Sequence, residues 1–241
     1  MLKAHLRGAA LAAAILALGS AAPAAAKDFT DAERAAIEKI FREYILEHPE
    51  IIPEAIEVLQ ERVATASVRE NAEALFNDGY SHVAGNPRGD VTVVEFFDYP
   101  CPYCKLVNPS LKKLIESDRN VRVVFKEWPI RGGEAEFASR AAIASEAQGK
   151  YMAFHDALMA HRGALNEKTV FEIAARVGLD VERLKQDMRA PKVQEVIDRN
   201  RELGAALNLR GTPAFIIGDK LVPGAIEYDE MARQVAEARK K

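Results

Sequence analysis

The sequence predicts an α/β fold that carries a helical insertion and follows an N-terminal helical extension. Three observations predict it. Residues 91–97 (Val-Thr-Val-Val-Glu-Phe-Phe) and 121–125 (Val-Arg-Val-Val-Phe) are short apolar runs of strand composition, with a helix-spaced segment between them. From about residue 135 to 207 the apolar positions recur at helical spacing, punctuated by Gly149, Gly163 and Gly178. Then Ala214-Phe215-Ile216-Ile217, the turn Gly218-Asp219 and Lys220-Leu221-Val222 read as a hairpin.

The chain begins with the pattern of an export signal. Lys3 and Arg7 precede an apolar run from Gly8 to Ser20, and Ala24-Ala25-Ala26 supplies small residues for cleavage before Lys27. That run is short for a bilayer span, so residues 1–26 are expected to be removed and the mature protein to lie outside the cytosol. The alternative is an uncleaved anchor. The net charge of -3 gives no reason to expect nucleic acid as a partner. With 49% hydrophobic and 29% charged residues, a packed core is expected.

Residues 27–78 form the extension and are clearly acidic. Thr30-Asp31-Ala32-Glu33 reads as a capping box that opens a helix bearing Ile37, Ile40, Phe41 and Tyr44. His48-Pro49 ends it, because a residue before proline avoids helical angles. A second helix restarts near Pro53. Its apolar positions Ile52, Ile56, Leu59, Val63 and Ala66 alternate in steps of four and three, as in a coiled-coil seam. An ordinary amphipathic helix docked on its own domain has the same pattern. Asn77-Asp78-Gly79 marks a turn into the second part, residues 79–241.

In that part, strand 91–97, a helix through Leu106, Leu111, Leu114 and Ile115, and strand 121–125 make a βαβ unit. The insertion holds helices around 137–148, 151–160, 167–177, 181–188 and 193–207. A last helix from about Tyr228 closes the chain.

Cys101 and Cys104 are the two cysteines of the chain. A bridge between them closes too small a loop to staple a fold, so the pair is read as chemical. It sits where a strand ends and a helix starts. Unpaired N–H groups and the positive dipole end of a helix favour a thiolate on Cys101. Cys104, one turn in, is expected to stay protonated and to resolve the mixed disulfide formed by Cys101. Pro102 lacks an N–H and suits a first helical turn. A C-x-x-C pair beside a βαβ unit is a thioredoxin-like signal, whereas a zinc site needs four ligands. His48, His82, His155 and His161 are scattered and are read as surface or cap residues. The pair requires no further cofactor or metal.

Three motifs carry a family resemblance: Glu-Phe-Phe-Asp-Tyr-Pro-Cys-Pro-Tyr-Cys-Lys (95–105), Phe-Lys-Glu-Trp-Pro-Ile (125–130) and Gly-Thr-Pro-Ala-Phe-Ile-Ile-Gly (211–218). Together they resemble the DsbA-like periplasmic thioredoxin family over residues 79–241. The acidic extension is similar to that of the suppressor-of-copper-sensitivity C and Com1-type group. The resemblance implies a thioredoxin fold, a periplasmic location and thiol–disulfide exchange on exported cysteine-containing proteins, with a membrane redox partner. It implies that Cys101 is the nucleophile, Cys104 the resolving thiol, Glu95 a buried acid that moves the Cys104 proton, and Lys126 the partner of Glu95. Pro213 would be a cis-proline and Thr212 its substrate-facing neighbour, with Pro102 and Tyr103 completing the substrate-binding set. Tyr103 departs from thioredoxin-fold oxidants, which often carry histidine there; one cation beside the thiolate is lost, and a strongly oxidising character is in doubt.

Three functions remain open on these residues. The first is an isomerase or reductase of wrong disulfides, joined into oligomers, as a trimer, by residues 27–78. The second is a monomeric oxidase. The third is a copper(I) protein, since soft thiolates suit that ion.

Overall fold

The structure is a computed structural model and describes residues 28–240. The export signal lies outside the described residues. The chain divides into two compact units, Met1–Ile52 and Pro53–Lys241.

In the first unit, helix α1 (Asp31–Glu47) opens on the expected capping box: the Thr30 hydroxyl accepts from the Glu33 N–H, and the Glu33 carboxylate accepts from the Thr30 N–H. It ends at His48, before Pro49. The helix buries none of its residues, and Ile37, Ile40, Phe41 and Tyr44 are exposed.

Helix α2 (Ile51–Glu70) begins at the boundary between the units. The chain continues through α3 (Ala72–Phe76), β1 (His82–Gly85), β2 (Val91–Phe97), α4 (Pro102–Ser117) and β3 (Val121–Glu127). The insertion is five helices: α5 (Gly133–Ser145), α6 (Tyr151–Ala160), α7 (Glu167–Arg176), α8 (Val181–Asp187) and α9 (Pro191–Ala206). Strands β4 (Ala214–Ile217) and β5 (Lys220–Pro223) and helix α10 (Tyr228–Ala238) follow.

Among the described residues, five strands form one mixed sheet in the order β1-β3-β2-β4-β5. Strands β2 and β3 are parallel; the other neighbours are antiparallel. Side chains alternate between the two faces of a strand. Val91, Val93 and Phe97 of β2 face a core shared with α4, α10 and the insertion. Val94 and Phe96 face a second core built with Val68, Leu75, Leu203 and Leu207. Both faces are covered, so β2 and β3 read as nearly continuous apolar runs. Gly204 permits the close approach of α9 to the sheet: a Cβ there would lie 2.7 Å from the Trp128 ring.

Strand β1 and helix α3 were not expected from the sequence. Each is four or five residues long, too short to show a period. The end of the extension also differs from the expectation. Val68 and Leu75 are buried in the second core, and the Ser67 hydroxyl donates to the Ala206 carbonyl at 3.1 Å. Residues from about Ser67 onward therefore pack with the sheet. The proposed seam does not: Ile52, Ile56, Leu59, Val63 and Ala66 are exposed.

Candidate active site

Strand β2 and helix α4 bring the cysteines to the carboxyl end of the central strand. The connecting residues form a tight turn in which the Cys101 N–H donates to the Asp98 carbonyl at 2.9 Å. Cys101 is the N-cap of α4, with extended backbone, and Pro102 occupies the first helical position. Pro102 is favoured there because the N–H it lacks would have no helical partner. Both cysteines are free thiols, and both are buried.

Their environments differ sharply. Hydrogen bonding from Cys104, reinforced by Thr212 and by the backbone N–H groups of Cys104 and Tyr103, lowers the Cys101 thiol from 9.0 to about 4. Burial, the hydrogen bond with Cys101 and the Glu95 charge push Cys104 far above the ordinary thiol range. One sulfur is thus a thiolate and the other a thiol at neutral pH, as a nucleophile and a resolving group require.

The loop before β4 closes over the pair. The Thr212–Pro213 peptide is cis, as the resemblance implied. The Cys101 Sγ lies 3.2 Å from the Thr212 carbonyl oxygen. Thr212 is buried. Tyr103 and Leu106 of α4 and Ile130 of the β3–α5 loop are exposed large apolar side chains of these elements.

Glu95 sits on β2, on the face toward α4. It is 1% exposed and neither carboxylate oxygen has a hydrogen-bond partner. Burial, aided by the charges of Glu127 and Cys101, raises its carboxyl from 4.5 to about 8. A protonated carboxyl at neutral pH is poised to exchange a proton in the physiological range.

The expected pairing of Glu95 with Lys126 is wrong. Lys126 is in register with Phe96, not with Glu95, so its side chain leaves the sheet on the opposite face. It is fully buried there, forms an ion pair with Asp78 and donates to the Ala74 carbonyl at 2.7 Å. Burial lowers the Lys126 ammonium. Burial alone would raise Asp78, but hydrogen bonds from Lys126 and Ser81 outweigh it and hold the carboxyl low. The pair ties the turn after α3 to the sheet.

His155 also departs from the expectation of a surface role. It is fully buried, with Nδ1 3.2 Å from the Tyr99 hydroxyl. Tyr99 and Tyr151 donate to Glu127 at 2.9 and 2.8 Å. Burial raises Glu127 to about 8 and lowers His155 to about 3, so both are uncharged at neutral pH. This network lies on the same face of the sheet as Glu95.

Two more groups near Cys101 escaped the sequence reading. Asp98, fully buried, accepts from the Ile130 N–H at 3.0 Å, and burial raises its carboxyl to about 6. The Arg131 guanidinium lies 3.6 Å from the Cys101 Sγ. An acid beside a C-x-x-C motif was the available signal for Asp98. Nothing local marks Arg131, which comes from another loop. Among the described residues, no group of three or more His, Cys, Asp or Glu side chains is placed to hold a metal ion, and no helix is long and apolar enough to cross a membrane.

Comparison with known proteins agrees with this architecture. Residues 92–236 match the family described as DSBA-like thioredoxin domain, and residues 33–66 match the copper resistance protein ScsC N-terminal domain. A thioredoxin-like oxidoreductase from Silicibacter pomeroyi DSS-3 is 50% identical, over 70% of this chain and 98% of its own, with a TM-score of 0.69. A linker-deletion variant of Proteus mirabilis ScsC is 29% identical, over 88% of this chain and 98% of its own, with a TM-score of 0.71. Among curated proteins, a Na(+)/H(+) antiporter NhaA 1 from Salinispora arenicola is 31% identical over 164 residues, 65% of this chain. The match spans only 24% of that antiporter; the chain covers about a quarter of the first such relatives. The matched region holds the cysteine pair, the cis-proline loop and the helical insertion, and on that ground the chain belongs to the DSBA-like thioredoxin domain family.

Proposed function

We propose that this protein is a periplasmic thiol–disulfide oxidoreductase that rearranges or reduces wrong disulfides in exported proteins. The observation that carries the chemistry is the unequal pair: a Cys101 thiol lowered to about 4 at a helix N-terminus, beside a Cys104 held protonated. Cys101 attacks one sulfur of a substrate disulfide, forming a mixed disulfide and releasing the other sulfur as a thiolate. That thiolate returns to the mixed disulfide in isomerisation. Alternatively, Cys104 gives up its proton and attacks Cys101, leaving a reduced substrate and an oxidised pair. Glu95 acts as the proton store for Cys104. Thr212 and Pro213, with Pro102 and Tyr103, cradle the substrate chain at the mouth of the sheet.

The isomerase direction draws support from the extension. The exposed apolar positions on α1 and α2 need cover in water, and a second or third copy of the chain supplies it. Several redox pairs then serve one misfolded client. A membrane partner keeps the pair reduced.

The stabilised Cys101 thiolate favours a second reading, a dithiol oxidase, because stabilising the reduced form makes its disulfide a stronger oxidant. Trapping free thiols in the intact compartment separates the two. A pair found mainly reduced supports the isomerase. A pair found mainly oxidised overturns it in favour of the oxidase.

A further inference from the structure

The residue just before Cys104 is Tyr103, an exposed phenol that brings no cationic group to the pair. The cation beside the nucleophile comes from elsewhere in the chain. Arg131, in the loop between β3 and α5, places its guanidinium 3.6 Å from the Cys101 Sγ. That loop is not free to wander. The buried Asp98, three residues before Cys101, accepts from the Ile130 N–H at 3.0 Å and so holds the backbone next to Arg131. The same turn binds Cys101 itself, through its N–H to the Asp98 carbonyl at 2.9 Å. Asp98 thus fixes the nucleophile through its backbone and the loop of its cation through its side chain.

We propose that Arg131 is the electrostatic partner of the Cys101 thiolate, held in register by Asp98, and that it sets how strongly the Cys101–Cys104 pair oxidises. This rests on the reading of Cys101 as the nucleophile. Among the described residues, the titratable and charged groups named against Cys101 are Cys104 from α4, Glu95 and Asp98 from β2 and its end, and Arg131 from the β3–α5 loop. Arg131 is the one cation among them. Its positive charge stabilises the thiolate, hence the reduced pair, and makes the disulfide a better electron acceptor. In the balanced exchange, the protein disulfide and two glutathione thiols give the protein dithiol and one glutathione disulfide. Arginine suits the position because its guanidinium is a planar, delocalised cation with a rigid fork of donors.

The test uses the full-length reduced protein and its Arg131→Met and Arg131→Lys variants. The Cys101 thiolate is titrated by its ultraviolet absorbance, and the pair is equilibrated with glutathione buffers. Arg131 is exposed, so both variants are expected to fold. Arg131→Met should raise the Cys101 midpoint by roughly half to one pH unit. The equilibrium constant for accepting electrons from glutathione should fall about three- to tenfold, the same interaction read as a ratio. Arg131→Lys, which keeps the charge, should lie nearer the parent protein. Added salt should move the parent midpoint up toward the Met value and leave the Met variant nearly unmoved, as expected for a screened surface charge. An unchanged midpoint and equilibrium in Arg131→Met would overturn the proposal while leaving the exchange chemistry intact. A parent protein that exchanges no disulfides at all would instead overturn the reading of Cys101 on which it rests.

Discussion

Replacing Glu95 by glutamine should make the protein more stable and less active, and the gain in stability should depend on pH. Glu95 is 1% exposed, without a hydrogen-bond partner, and burial raises its carboxyl from 4.5 to about 8. Between those two values the folded protein binds a proton that the unfolded chain has released. Stability therefore falls as pH rises through this window. At pH 7 the unfolded carboxyl is ionised over two and a half units, and the folded one scarcely at all. At 1.36 kcal/mol per unit this is on the order of 3 kcal/mol lost by the parent protein and not by Glu95→Gln. Glu127 titrates in both proteins and cancels to first order. The assay is urea unfolding of both reduced proteins at pH 5, 6, 7 and 8, with stopped-flow measurement of disulfide exchange alongside. The difference should be small near pH 5 and widen steadily toward pH 8, while exchange should slow if the Glu95 carboxyl is the group that trades a proton with Cys104. A stability difference that is flat across this range would mean that Glu95 does not titrate there.

Other substitutions separate the roles of the cysteines, the buried ion pair and the extension. Cys104→Ala should accumulate mixed disulfides on Cys101, whereas Cys101→Ala should lose all exchange; gel analysis after trapping of thiols reads both. Lys126→Met should cost about 3–5 kcal/mol by stranding Asp78 as a buried charge, measured by denaturant unfolding, with the Cys101 midpoint unmoved because Lys126 occupies the other face of the sheet. Leu75→Ala should cost about 2–5 kcal/mol by opening a cavity in the second core, as expected if residues after about Ser67 belong to the sheet body rather than to a separate stalk. Deleting residues 28–62 leaves Val68 and Leu75 in place and should reduce the solution mass to that of one chain, with isomerase activity lost and oxidase activity kept; light scattering and refolding assays decide it, and a full-length protein already monomeric would contradict the stalk.

What was legible in the sequence was what has a period or a fixed spacing. The two central strands, the helices of the insertion and the capping box at Thr30 all announce themselves through apolar spacing or cap chemistry, and each forms where expected. The cysteine pair was legible because C-x-x-C at a strand–helix junction is a local pattern. The pairing of Glu95 was not. The side-chain alternation of a strand places Lys126 on the face away from Glu95 once the register is known, but one sequence does not state the register between β2 and β3. His155 was misplaced for a related reason. A lone histidine on a helix is usually exposed, and only packing brings it against Tyr99, Tyr151 and Phe125 in the core. Arg131 was invisible because its contact with Cys101 joins two loops 30 residues apart. The resemblance supplied the cis peptide before Pro213; from the residues alone, a trans turn reads equally well.

The exchange chemistry depends most on the inequality of the two cysteines, and one experiment addresses it directly. The reduced protein is alkylated with iodoacetamide across a range of pH, and the labelled cysteine is identified by peptide mapping at each point. Label should enter at Cys101, the rate should be half-maximal near pH 4, and Cys104 should stay unlabelled up to neutral pH and beyond. A midpoint near the ordinary thiol value of 9.0, or label appearing first on Cys104, would contradict it.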